Sequence, residues 1–226
     1  MFCVVLAHET WEGLYAQLEK TKNLTNLFEI RLDSLKDLSP QPLKELLNLP
    51  YKFICTFRSF EEGGFKKENP LKRWEILENC CKWGAYLVDF EWRSFLKVKD
   101  PILKSSHFSE KILFSYHNFS NTPKIKTLKG ILRKASQIGI KWFKITTYTE
   151  KIEESFEFLT LINFAKSLGI KLVAFNMGDK VRLSRVLNLL LGSPFTYVFP
   201  PMEKPLAPGQ MDIIEAKKLW EVIGVV

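Results

Sequence analysis

The stretch Phe28-Glu29-Ile30-Arg31-Leu32-Asp33 alternates apolar and charged residues one by one. Successive side chains of a strand point to opposite faces, so this pattern predicts a strand over 27–33 with Phe28, Ile30 and Leu32 on one face and three charges on the other. The apolar face must pack on helices. The charged face is left to the interior of a sheet that closes on itself.

The division repeats along the chain. Phe53, Cys55 and Phe57 oppose Arg58; Val88, Phe90 and Trp92 oppose Asp89 and Glu91; Ile112, Phe114 and Tyr116 oppose Ser115 and His117; Phe143 and Ile145 oppose Lys144 and Thr146. Apolar runs at 2–7, 27–33, 51–58, 86–92, 111–117, 140–146, 171–177 and 195–199 are separated by amphipathic stretches. These predict helices over 11–19, 42–47, 71–83, 124–138, 153–168, 181–191 and 213–222, with an ambiguous segment at 94–104 that contains Pro101. Eight βα units imply parallel strands with crossover helices, and favour a TIM (β/α)8 barrel over an open sheet. Thr122-Pro123 precedes one predicted helix, and Gly139 and Gly169 follow two others. With no linker or low-complexity tract, residues 1–226 are expected to form one domain.

Composition narrows the function classes. The chain has 226 residues, 46% hydrophobic and 26% charged, which is ordinary for a globular α/β protein. Thirty-three Lys and Arg against 25 Asp and Glu give a formal charge of +8, which raises the question of nucleic acid or an acidic ligand. The lysines are scattered in pairs such as Lys66-Lys67 and Lys217-Lys218, so a solvated basic surface is expected and no nucleic-acid partner. Cys3, Cys55, Cys80 and Cys81 have no CxxC spacing and fit a reducing compartment. Residues 2–7 lack the basic flank of a signal peptide and are too short to cross a bilayer, so a cytoplasmic protein without a membrane partner is expected.

One charge at a strand end is ordinarily an ion pair or a solvated group. Glu29, Arg31, Arg58, Asp89, Glu91, His117 and Lys144 on one interior are costly to bury unless they pair or perform chemistry. Lys144, flanked by Trp142, Phe143 and Ile145, sits where desolvation and nearby cations favour the neutral, nucleophilic amine. Such an amine forms an imine with a ketone, and the imine acidifies the adjacent carbon. His117 is the candidate base, because the other histidines, His8 and His107, lie outside the inward set. No glycine-rich phosphate loop appears and the inward cations disfavour a metal, so no cofactor and no metal are expected.

Six segments in order resemble the type I 3-dehydroquinate dehydratase family. They are Glu29-Ile30-Arg31-Leu32-Asp33; Thr56-Phe57-Arg58-Ser59 with Glu62-Gly63-Gly64; Ser115-Tyr116-His117-Asn118-Phe119 with Thr122-Pro123; Phe143-Lys144-Ile145; Met177-Gly178 with Ser184-Arg185; and Ala207-Pro208-Gly209-Gln210. The resemblance implies a carbon–oxygen hydro-lyase that turns 3-dehydroquinate into 3-dehydroshikimate in the shikimate pathway. It implies Lys144 as the Schiff-base lysine, His117 as general acid and base, and Glu62 as the group that tunes His117. Arg185 would take the substrate carboxylate. Glu29, Arg58 and Gln210 would hold the hydroxyls and carbonyl end, Arg31 would support them, and Met177 and Ala207 would line the substrate. Tyr197 stands where the family usually has phenylalanine, and Gly63-Gly64 and Pro208-Gly209 would act as lids. Leu206 and Val181 depart from the pattern, replacing a frequent serine and a frequent glycine. A homodimer and a joined shikimate dehydrogenase domain stay open. So do two other functions: a class I aldolase, against which Arg185 and the Ala207–Gln210 loop argue, and a non-catalytic basic binding module.

Overall fold

The computed structural model describes residues 1–105 and 108–223, so His107 lies outside the described residues. Eight parallel strands form one sheet of order β7-β6-β5-β4-β3-β2-β1-β8, and helical segments separate them in sequence: the TIM (β/α)8 arrangement. The strands are β1 (Phe2–Leu6), β2 (Leu27–Arg31), β3 (Lys52–Thr56), β4 (Leu87–Glu91), β5 (Ile112–Asn118), β6 (Trp142–Tyr148), β7 (Lys171–Met177) and β8 (Thr196–Val198). Contacts group the chain into two compact units, Cys3–Ser115 and the remainder from Tyr116 onward together with Met1–Phe2.

In the first unit the helices are α1 (Trp11–Thr21), α2 (Pro40–Leu47), α3 (Pro70–Lys82), α4 (Trp92–Phe95), α5 (Lys99–Leu103) and α6 (Phe108–Lys111). Local chemistry sets their ends. Thr10 accepts from the Gly13 amide at the start of α1, and Asn69 accepts from Lys72 just ahead of Pro70, which opens α3. Phe28, Phe53, Val88, Phe90, Ile112 and Phe114 are buried, and Phe90 packs edge-on against Trp74 of α3 and Phe114 against Phe95 of α4. The register sets Glu29 beside Val5 and Ile54, Arg31 beside Thr56, and Glu91 beside Ser115.

The second unit contains α7 (Ile125–Gln137), α8 (Ile152–Leu159), α9 (Leu161–Ser167), α10 (Ser184–Leu190) and α11 (Ile213–Val222). Here β6 and β7 run in register from Trp142↔Lys171 to Tyr148↔Met177, which places Lys144 beside Val173 and Thr146 beside Phe175. Asp212 caps α11 by accepting from the Ile214 and Glu215 amides.

Several boundaries differ from the sequence reading, each for a local reason. The strand expected over 27–33 stops at Arg31, and Leu32–Ser34 turn as a 3₁₀ helix, with Ser34 Oγ donating to the Arg31 carbonyl at 2.7 Å. Arg58 likewise lies two residues past the end of β3. The helix expected over 153–168 is divided at Thr160, whose hydroxyl donates to the Glu157 carbonyl at 2.6 Å and competes with the helical ladder. The segment 94–104 folds into the short turns of α4 and α5. Among the described residues no helix is long and apolar enough to cross a membrane.

Candidate active site

In the first unit the inward charges form a continuous ion network. Arg58 Nη2 donates to Asp89 Oδ2 at 2.6 Å, its Nη1 donates to Ser115 Oγ at 2.7 Å, and Ser115 donates onward to Asp89 Oδ1 at 2.6 Å. Burial by itself would lower the Arg58 pKa, but Asp89, Glu91 and Glu29 hold it above the ordinary arginine value. Glu29, on β2, accepts from Thr56 Oγ1 at 2.8 Å. Arg31 makes a two-pronged pair with Asp33, Nε to Oδ1 at 3.0 Å and Nη2 to Oδ2 at 2.7 Å, and its guanidinium covers the Phe65 ring at 5.2 Å.

Two carboxylates of this network also hold the segment that follows β3. Asp33 accepts from the Arg58 and Phe65 amides at 3.2 and 3.1 Å, and Glu91 accepts from the Ser59 amide at 2.6 Å. The segment folds back tightly: the Gly64 amide donates to the Ser59 carbonyl, and a Cβ on Gly64 would lie 2.1 Å from the Arg58 carbonyl oxygen. Glu62 closes the 3₁₀ turn Phe60–Glu62 there, buried, with Arg93 Nη1 at 3.5 Å from its Oε1.

Sequence reasoning missed Arg73. It is 1% exposed on α3, pairs with Glu91, and donates to the Phe57 carbonyl at 3.3 Å and to Ser94 Oγ at 2.6 Å. The available signal was its spacing: Arg73 lies four residues before Leu77, on the apolar stripe of α3, where a charge requires a buried partner.

The second unit treats its basic side chains differently, setting them against aromatic rings. Lys144, buried on β6, holds Nζ 3.8 Å from the centroid of the Tyr197 ring on β8. Arg185, 3% exposed on α10, lies 4.4 Å over Phe175 of β7 and donates from Nη2 to the Pro208 carbonyl at 3.0 Å. The rings of Phe175 and Phe195 pack edge-on against Tyr197, making one aromatic wall. Arg185 has no carboxylate partner among the described residues. Burial, and to a smaller extent Arg182, lowers its pKa to about 9. His117 lies near the end of β5, 6% exposed, its ring stacked with Phe119 at 6.4 Å.

Residues 205–210 dock on the end of β7. The Gly178 amide donates to the Pro208 carbonyl, the Gly209 amide donates to Asp179 Oδ1 at 3.1 Å, and a Cβ on Gly209 would come 2.3 Å from the Gly178 oxygen. Gln210 is buried and uses Oε1 to accept from the Leu206 amide at 2.8 Å, while its own amide donates to the Ala207 carbonyl. Met177 ends β7, buried.

Cysteine is a poor nucleophile in this setting. All four thiols are buried; the hydrogen bond with Cys80 and burial push Cys55 well up, and burial pushes Cys81 up to about 12. The arrangement offers an amine in an aromatic surround, a buried histidine, and a guanidinium fit for an anion. Those are the parts of imine and acid–base chemistry.

The chain is similar to known proteins along its whole length. A Pyrococcus abyssi protein named 3-dehydroquinate dehydratase is 34% identical over 225 residues, 98% of this chain and 97% of that one. Among solved structures, 3-dehydroquinate dehydratase from Geobacillus kaustophilus has a TM-score of 0.85 at 23% identity, covering 98% of this chain and 90% of that chain. An S. pombe structure described as dehydroquinate dehydratase and shikimate dehydrogenase matches with a TM-score of 0.79 at 21% identity, over all of this chain and 45% of that one. The model of the type I 3-dehydroquinase family matches residues 2–226, and the chain therefore belongs to that family.

Proposed function

We propose that this chain is a cytoplasmic lyase that converts 3-dehydroquinate to 3-dehydroshikimate and water, the third step of the shikimate pathway, through a Schiff base on Lys144. Family membership supports the reaction. The observation that carries the assignment to these side chains is Arg185: a buried guanidinium with no carboxylate partner among the described residues, on the same aromatic wall as Lys144. An isolated buried cation is costly, and a substrate carboxylate compensates that cost by a two-pronged charge-assisted pair.

In this reading the neutral Lys144 amine attacks the C3 ketone, and loss of one water gives the protonated imine. His117 removes a proton from C2, and the imine accepts the electron pair as an enamine. The electrons return to expel the C1 hydroxyl, which His117 protonates as it leaves. Hydrolysis of the imine consumes one water and releases product, so the net yield is one water. Glu62 tunes the base; Glu29, Arg31, Arg58 and Gln210 serve the substrate oxygens; and Tyr197, Met177 and Ala207 line the ring.

The test is ultraviolet detection of the enone formed from 3-dehydroquinate, with borohydride added during turnover. A reduced adduct on Lys144 is expected. Turnover without an adduct would discard the Schiff base, and no turnover would discard the substrate.

A further inference from the structure

Thr146 follows Lys144 by two residues on β6, so the two side chains share a face, and its β7 neighbour in register is Phe175. The residue is 2% exposed, and its hydroxyl Oγ1 has no hydrogen-bond partner among the described residues. That is unusual, because a buried hydroxyl without a partner costs free energy and a threonine-sized apolar side chain would avoid the cost. The next residue shows the alternative. Thr147, on the opposite face, is bound to Thr122 Oγ1 at 2.9 Å and to Asn176 Nδ2 at 3.0 Å.

The position of that hydroxyl gives it a use. Lys144 lies one row back along the strand, about 6.6 Å away at 3.3 Å per residue. Phe175 lies on the adjacent strand, about 4.8 Å across, and its ring carries the Arg185 guanidinium. A ligand joined to Lys144 through its ketone carbon and paired with Arg185 through its carboxylate therefore passes over Thr146. The carbon beside that carboxylate bears the hydroxyl that leaves.

We propose that Thr146 is a substrate-contacting residue whose hydroxyl bonds to the departing C1 hydroxyl of the substrate. The proposal rests on the dehydratase reading. A threonine hydroxyl suits this contact because it can donate and accept at once. The carboxylate on the same carbon is the charge that Arg185 is fitted to take.

The variants Thr146→Val and Thr146→Ser test it. Thr146→Val keeps the shape and removes the hydroxyl, so kcat/KM should fall about 3- to 10-fold, the range for one neutral hydrogen bond. The Tm should stay level or rise, since an unsatisfied group is lost; a purely structural role would move Tm and leave kcat/KM alone. Thr146→Ser should recover most of the lost efficiency. Inhibition by 3-dehydroshikimate, which lacks the departing hydroxyl, should be the same in wild type and Thr146→Val. An unchanged kcat/KM in Thr146→Val, or an equal weakening of product binding, overturns the assignment. Borohydride trapping of the wild type separates this failure from that of the underlying reading: an adduct on Lys144 with an indifferent Thr146→Val sinks only the role of Thr146.

Discussion

The two units bury their charges by opposite rules. Between Cys3 and Ser115 every buried arginine meets a carboxylate: Arg31 with Asp33, Arg58 with Asp89, Arg73 with Glu91. From Tyr116 onward the buried basic side chains lie on rings, Lys144 on Tyr197 and Arg185 on Phe175. A buried ion pair is expensive to break, because removing one partner strands the other. A ring attracts a cation more weakly than a carboxylate does, and Arg185 on its ring has no carboxylate partner among the described residues. The first unit is thus built as a fixed frame and the second as a receptive surface.

The contrast is tested most severely at Lys144. Lys144→Ala should reduce turnover by at least about 10⁴-fold, as loss of a covalent nucleophile does, and should abolish borohydride trapping. A smaller loss would mean that the amine on Tyr197 is packing rather than chemistry. His117→Ala should lose about 100- to 10,000-fold in turnover, the contribution of general acid–base catalysis, while still forming a trappable imine. Equal loss of trapping and turnover would show that His117 acts before proton abstraction.

Comparing two arginines sharpens the difference between frame and surface. Arg73→Met leaves Glu91 buried without its closest cation and should cost about 3–5 kcal/mol of stability, seen as a large fall in Tm. Arg185→Met strands no carboxylate among the described residues, so Tm should hold or rise. The KM should increase about 10- to 100-fold, the value of a hydrogen bond to a charged group. The pH dependence follows from the lowered Arg185 pKa. Folding penalises this cation, fully below about pH 9 where both folded and unfolded forms are charged, and less as pH rises above it. The Tm advantage of Arg185→Met should therefore shrink above about pH 9. Parallel losses of Tm in both variants would erase the distinction.

What the sequence made legible was the face, not the partner. Alternation in Phe28–Asp33 and its repeats placed Glu29, Arg31, Asp89, Ser115 and Lys144 on strands as described, because period two is a local property. It did not show that Asp33 and Arg58 lie past their strand ends: Ser34 Oγ sets the turn at Leu32–Ser34 through the Arg31 carbonyl, and the amides that hold Asp33 come from Arg58 and Phe65, far away in sequence. Arg73 was passed over because a helical arginine ordinarily reaches solvent. Only the burial of Glu91 explains it. The resemblance singled out Lys144, Arg185 and Tyr197, yet neither motif nor spacing showed that Phe175 of β7 and Phe195, just ahead of β8, pack against Tyr197 to complete the aromatic wall.

The smallest effect concerns Leu206, the departure just ahead of the docked loop. Its side chain is 40% exposed, and its amide donates to Gln210 Oε1 at 2.8 Å. The backbone contact survives the change to serine, which keeps the amide N–H, so Leu206→Ser should leave the loop seated and stability within about 0.5 kcal/mol. A serine hydroxyl adds one donor and acceptor that leucine lacks. If the loop covers the substrate, one neutral hydrogen bond of about 0.5–1.5 kcal/mol raises kcat/KM by a few-fold. The competing use of that hydroxyl is local: it can bond to the Gln210 side chain, which already accepts from the amide of residue 206, and would then act by steadying Gln210 without touching the substrate. Steady-state kinetics of Leu206→Ser beside Gln210→Ala separate these. A gain in Leu206→Ser that persists in the double variant places the serine on the substrate, whereas a gain that disappears with Gln210 assigns it to the loop. Unchanged or poorer efficiency in a stably folded Leu206→Ser shows that the receptive surface already serves the substrate at this edge without a side chain from position 206.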